Sequence, residues 1–267
     1  MKKKVVFVVG IIIVVVVVLL VILLGDKHLD LNSDEVTTLY SYLGEVDVNH
    51  CGGLNQYTDE EVTYDSISND NKMCIAYYEL NDDQKISETH DVTTTNDNDI
   101  SICEIGEGTR LVASEGEDFC NYEVISKNDL NSIYNKVYGQ DLPSDEEFYI
   151  NTNIACYLDG DNYYCGEAET FVQSLTPEAT VYRLMNSAIE KMNGDIVISD
   201  YYLKVSGNKC YSSNNFDDEI SACSSELEDN ENLEIDAEFV QEYGALYEHT
   251  FKADDQGNYY WYSSNLK

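Results

Sequence analysis

Basic side chains are scarce: 15 Lys+Arg stand against 51 Asp+Glu in 267 residues, a formal charge of −36. Phosphate binding needs Lys and Arg to displace counterions, so nucleic acid is excluded as a partner, and anionic lipid surfaces are disfavoured for the bulk of the chain. The sequence holds 24 Asn but no N-x-Ser/Thr sequon, which favours an unglycosylated, bacterial-type exterior. It also has no C-x-x-C, and its four His are scattered at 28, 50, 90 and 249, so a zinc site is disfavoured. G-x-S-x-G, H-E-x-x-H, the P-loop and a complete G-x-G-x-x-G are all missing. Gly106-Glu107-Gly108 supplies two glycines of the last pattern, and Leu111 stands where the third belongs. No internal repeat is visible.

What is present first is apolar. A hydrophobic fraction of 43% with 11% aromatics is too high for a wholly disordered acidic tail. After Met1-Lys2-Lys3-Lys4, residues Val5 to Leu24 carry no charged or polar side chain. Twenty residues at 1.5 Å rise span roughly 30 Å, the hydrocarbon thickness of a bilayer. Only a helix satisfies such a backbone in lipid, which overrides the strand propensity of its Val and Ile. The run is too long for a cleaved signal peptide and lacks a small-x-small site before Asp26. The expectation is a plasma-membrane signal anchor with a cytoplasmic tip (1–4), a span (5–24), a short stalk (25–33) and residues 34–267 outside; the three Lys before the span set that orientation.

All eight Cys follow the span, and an even count in an exported chain predicts a disulfide framework. Around the turn Asp159-Gly160-Asp161-Asn162, pairing Leu158 with Tyr163 sets Cys156 opposite Cys165, within disulfide range. Proximity alone suggests Cys51–Cys74, Cys103–Cys120 and Cys210–Cys223. With the cysteines paired, no thiol remains for Cys–His catalysis.

Caps and stripes predict helices. Ser33 caps one that ends at Gly44, and another covers about Asn69 to Leu80. Ser126 opens a third that stops at Gly139 and Pro143. Thr176-Pro177 followed by Val181, Tyr182, Met185, Ala188, Ile189 and Met192 predicts a fourth, and Ala237–Tyr243 a short fifth. Strands are expected at Phe148–Ile150, Ile154–Leu158, Tyr163–Cys165 and Ile196–Val205, and in a last pair, Ala245–Ala253 with Asn258–Ser263. Polar residues 81–101 are expected to form an exposed loop. Without repeated βαβ units, the fold class is α+β with an antiparallel sheet and about five helices, as one domain or divided at 125/126.

Three sets of residues are candidate sites. Asp159, Asp161, Asp254 and Asp255 concentrate carboxylates on turns, where weak Ca²⁺ binding is conceivable, although turns favour Asp for their own reasons. Tyr260, Trp261 and Tyr262 place aromatics on both faces of a strand, suited to stacking on a sugar or anchoring a protein, or simply to sheet packing. A glycosidase-type carboxylate pair among the 51 acids is the third. No other cofactor is implied.

The stretches Tyr247–Lys252, Gly257–Ser264, Ser126–Gly139 and Asp195–Tyr211 resemble segments of uncharacterised signal-anchored extracytoplasmic proteins from AT-rich Gram-positive bacteria. That resemblance covers about half the chain and brings no activity with it. The resulting expectation is a membrane-anchored, non-enzymatic surface or envelope module binding protein, glycan or cation through a Tyr-bearing sheet face. The alternative is an extracytoplasmic hydrolase acting on glycans.

Overall fold

The computed structural model describes residues 25–44, 56–96, 99–106, 109–144, 147–151, 153–168, 179–230 and 233–267. The expected membrane span Val5–Leu24, the cap Thr176-Pro177 and Cys51 lie outside them. Among the described residues no helix is long and apolar enough to cross a membrane.

The described residues contain five α-helices: α1 (Asp34–Ser41), α2 (Asn69–Tyr78), α3 (Lys127–Tyr138), α4 (Ser221–Asp229) and α5 (Ala237–Tyr243). The strands are β1 (Lys27–His28), β2 (Val62–Thr63), β3 (Ile86–Asp91), β4 (Thr94–Thr95), β5 (Ser101–Ile105), β6 (Thr109–Val112), β7 (Phe119–Ser126) and β8 (Glu147–Tyr149). Further along come β9 (Ile154–Asp159), β10 (Asn162–Glu167), β11 (Thr180–Glu190), β12 (Ile196–Ser206), β13 (Lys209–Tyr211), β14 (Ala245–Ala253) and β15 (Tyr259–Leu266). They form three antiparallel sheets. The largest has the order β1-β11-β12-β14-β15-β2, with β13 on β12; the second is β3-β7-β10-β9-β8 and the third β4-β5-β6. The α+β class with antiparallel sheets is therefore established.

Local chemistry explains the helix ends. Ser33, Ser68, Ser126 and Asp236 accept a backbone N–H of the first turns of α1, α2, α3 and α5, satisfying donors that the helix leaves open. Gly139 ends α3 in the left-handed conformation at φ 64°, and the Tyr260 ring packs against its Cα, where a side chain would not fit.

One core fills the space between the two larger sheets. Val36 and Leu39 of α1, Met73 of α2 and Leu130, Tyr134 and Val137 of α3 meet Ile125 and Tyr163 of the second sheet and Ile198, Phe251 and Trp261 of the first. Because this cluster and β7 both cross position 125/126, that position separates no cores. The other face of the large sheet is covered by α4 and α5 through Leu203, Cys223, Leu227, Phe239 and Val240. The β5–β6 hairpin covers the far face of the second sheet through Cys103, Leu111 and Tyr122.

Disulfides join Cys103–Cys120, Cys156–Cys165 and Cys210–Cys223. The β9–β10 hairpin pairs Leu158 with Tyr163 and Cys156 with Cys165, so the second disulfide links directly opposed residues 4.0 Å apart at Cα. Cys51–Cys74 falls outside the description on one side, and none of the described cysteines is free.

Three expectations are corrected. The predicted fourth helix is strand β11. A β-bulge falls between Met185 and Ser187, so the core-facing side runs Val181, Arg183, Met185 and then Ala188. The bulge lengthens the last step from two to three, and the charged Arg183 leaves Val181, Met185 and Ala188 as the apolar members, at spacings of four and three that mimic a helical stripe. Residues 81–101 are not a loop: β3 pairs with β7 over six residues, and its exposed faces hide it from any hydrophobic pattern. The stalk at 25–33 is folded, with β1 pairing to Glu190 and Ile189 and Leu29 and Leu31 packing on the core.

Candidate functional site

Two polar constellations stand out. The first is buried in the large sheet. Asp200 on β12 is fully buried, and its Oδ2 accepts the hydroxyls of Tyr40 at 2.5 Å and Tyr57 at 2.7 Å, with Arg183 Nε at 3.3 Å. Its Oδ1 lies 3.0 Å from His249 Nε2, and His249 Nδ1 is 2.6 Å from Ser264 Oγ. The Trp261 indole donates to that same Oγ at 3.0 Å. Arg183 also donates to the Gly44 carbonyl at 2.8 Å.

Charge and burial act against each other here. Burial pushes the Asp200 pKa up, but His249 and Arg183 outweigh it and hold the carboxyl below its usual range. Burial, reinforced by the Asp200 charge, raises the Tyr40 and Tyr57 hydroxyls well above 10.

Ser264, His249 and Asp200 have the composition of a nucleophilic triad, but their geometry argues for a brace. All three are fully buried, and Ser264 Oγ is taken by both Trp261 and His249, so a substrate carbonyl has no approach. The constellation ties α1, Tyr57 and strands β11, β12, β14 and β15 together.

The second constellation is open. Where α2 ends at Tyr78, one face of the β3-β7-β10 sheet loses its helical cover, and a groove of about 550 Å³ runs over it. Registry explains the lining. Ser87, Glu123 and Cys165 stand abreast on neighbouring strands, with Thr89 opposite Asn121 and Glu167 opposite Ile154 on the same face. Three carboxylates border the groove, and each accepts a hydroxyl: Tyr77 to Glu123 at 2.6 Å, Tyr122 to Glu88 at 3.0 Å and Ser114 to Glu167 at 2.8 Å. Burial first, and then the Glu123 carboxylate, raise the Tyr77 pKa, which keeps this hydroxyl a donor. Burial also pushes Tyr122 up to about 12. None of the lining residues is basic.

The residues singled out from sequence are not brought together. Trp261 is buried in the core, Tyr260 packs on Gly139, and Tyr262 is 43% exposed beneath the Lys252 ammonium. They form no common binding face. Asp159 and Asp161 flank Gly160 at the tip of the β9–β10 hairpin, and the Asp159 carboxylate packs against Gly106. Asp254 serves its own turn, accepting the Gln256 and Asn258 amides at 2.8 Å each and the Asn258 side chain at 3.1 Å; these bonds lower its pKa. Asp255 is exposed beside it. Among the described residues no three His, Cys, Asp or Glu side chains converge as metal ligands. Because Asp254 is already engaged by the amides of its own turn, millimolar Ca²⁺ is expected to move the melting temperature no further than NaCl of equal ionic strength, with EDTA as reference. A larger Ca²⁺ shift would reveal an organised site.

Sequence reading missed both constellations. For the groove, the usable signal was the alternation of Cys120, Tyr122 and Val124 with Asn121 and Glu123, which marks β7 as two-faced. No protein-family model, curated protein or solved structure matches the chain.

Proposed function

We propose that the chain is a non-enzymatic binding module anchored by Val5–Leu24 in a plasma membrane, with residues 25–267 outside and the β3-β7-β10 groove as its binding site. The observation that carries this reading is the groove: an uncovered sheet face where Glu123 and Glu167 are held by hydroxyls, with Glu88 at its border, and none of the lining residues is basic. Such a lining suits a neutral or cationic ligand and repels an anion. An exterior location is supported by the disulfides, which persist in oxidising compartments, and by the three Lys ahead of the apolar run.

Glycan hydrolysis is the less favoured reading. A general acid needs an enclosed carboxyl held protonated, whereas Glu88 and Glu167 are exposed and all three groove acids accept hydrogen bonds as carboxylates do.

The test uses the full chain in detergent micelles and calorimetric titration with trilysine, chitotriose and triglutamate. Trilysine or chitotriose is expected to bind and triglutamate not to. Glu123→Gln should weaken trilysine binding about two- to fivefold, the range for removing one partly exposed charge partner. Chitotriose should remain uncleaved. Binding of triglutamate alone, or an unchanged affinity in Glu123→Gln, would refute the groove as the site.

A further inference from the structure

The groove is bordered by an open strand edge. β3 ends the sheet order, and among the described residues only β7 pairs with it. The Val92 N–H donates to the Asp118 carbonyl at 2.9 Å, which fixes the phase of the ladder. Alternation then turns the backbone groups of His90, Glu88 and Ile86 toward β7, and those of Ser87 and Thr89 outward. Ser87 and Thr89 are exposed and also line the groove.

Exposed edges invite a further strand, and native proteins blunt them with lysine, proline or bulges. Ile-Ser-Glu-Thr-His-Asp uses none of these, and its pairing with β7 is unbroken. Its protection is acidic: Glu88 and Asp91 lie on the strand, Glu123 beside it, in a chain of net charge −36. Carboxylates repel a second copy of this edge, but they do not repel a basic strand. The exposed Ile86 side chain, at 58% of its full accessibility, adds an apolar contact on the opposite face.

Resting on the groove as binding site, we infer that the partner is an extended, Lys- or Arg-bearing peptide segment that adds to β3 as a new edge strand. Its backbone pairs with Ser87 and Thr89, and its basic side chains on the groove face lie toward Glu123. Charge complementarity selects the partner, while the backbone ladder sets its extended form.

Three acetylated, amidated octapeptides test this with the full chain in micelles: alternating Lys-Val, alternating Glu-Val, and Lys-Val with every second amide N-methylated. Methylation leaves charge unchanged but blocks one edge of the peptide. Lys-Val should bind and protect the Ser87 and Thr89 amides from hydrogen exchange, and the methylated peptide should bind at least about tenfold more weakly, as expected for losing backbone hydrogen bonds. Thr89→Pro, which removes an outward N–H and leaves the β7 ladder intact, should reproduce that loss. Equal binding of the methylated and plain peptides would overturn strand addition yet leave a cation-binding groove. Failure of Lys-Val, trilysine and chitotriose together would remove the groove reading as well. Binding of chitotriose without either peptide would assign the groove to glycans and overturn the peptide proposal.

Discussion

Asp200→Asn is expected to cost about 3–5 kcal/mol of folding stability, the range for removing one partner of a buried ion pair. Four donors converge on this carboxylate: the Tyr40 and Tyr57 hydroxyls, Arg183 Nε and His249 Nε2. An asparagine offers one oxygen: with that oxygen among Tyr40, Tyr57 and Arg183 its NH₂ group meets His249 Nε2, and with the amide flipped the NH₂ group meets the other three donors, so donor faces donor inside the core either way. It also strips the counter-charge from Arg183, whose side chain is only 4% exposed. Arg183→Met should cost less, because three donors still satisfy the carboxylate. The double variant should be less destabilised than the sum of the singles, with a coupling of about 0.5–3 kcal/mol. Urea unfolding with the disulfides intact measures all three. A loss below about 1 kcal/mol for Asp200→Asn would mean that water reaches the carboxylate, and the network would no longer count as a brace.

The same network shows where sequence reasoning stops. Tyr40, Tyr57, Arg183, Asp200, His249 and Ser264 come from six separate stretches of chain, and the Tyr40–Asp200 bond spans 160 residues. No local spacing encodes such a meeting. The groove shares this limitation, since Tyr77 and Glu123 are 46 residues apart and are joined by the end of one helix over a strand. By contrast, α1, α2, α3, α5 and the β9–β10 and β14–β15 hairpins were legible, because Ser and Asp caps, Gly139 and the Asp-Gly and Gln-Gly turns act within a few residues. α4 escaped notice because it begins after Ile220 with no side-chain cap. β11 was misread because one bulge changed its period, and β3 because an edge strand solvated on both faces needs no apolar alternation. The open edge that makes β3 a candidate docking strand is also what hid it in the sequence.

Alkaline pH should unfold the protein steeply above about pH 10, the ordinary tyrosine pKa. Burial raises the hydroxyl pKa of Tyr40, Tyr57, Tyr138, Tyr202 and Tyr247 above the ordinary value of 10.0. The folded state therefore keeps protons that the unfolded chain releases, and stability present below pH 10 is lost as pH rises toward the folded pKa values. Each tyrosine contributes a slope of about 1.4 kcal/mol per pH unit, so five together exhaust a typical stability of about 5–15 kcal/mol within roughly one to two units. Lys204 acts in the opposite sense. It is buried on β12, its ammonium donates to the Asn214 carbonyl at 2.8 Å and lies over the Phe216 ring, and burial lowers its pKa from 10.5 to about 8. Here the unfolded chain binds the proton more tightly, so stability rises as pH climbs from about 8 toward 10.5. The two effects place a stability maximum between about pH 8 and 10, followed by a steep fall. Urea midpoints across this range, read beside tyrosinate absorbance, test both limbs. Lys204→Met should flatten the rise and leave the fall. If tyrosinate absorbance reached its full value for all 22 tyrosines before unfolding, these five hydroxyls would be solvated, and the buried tyrosine cluster could not be what limits the protein in alkali.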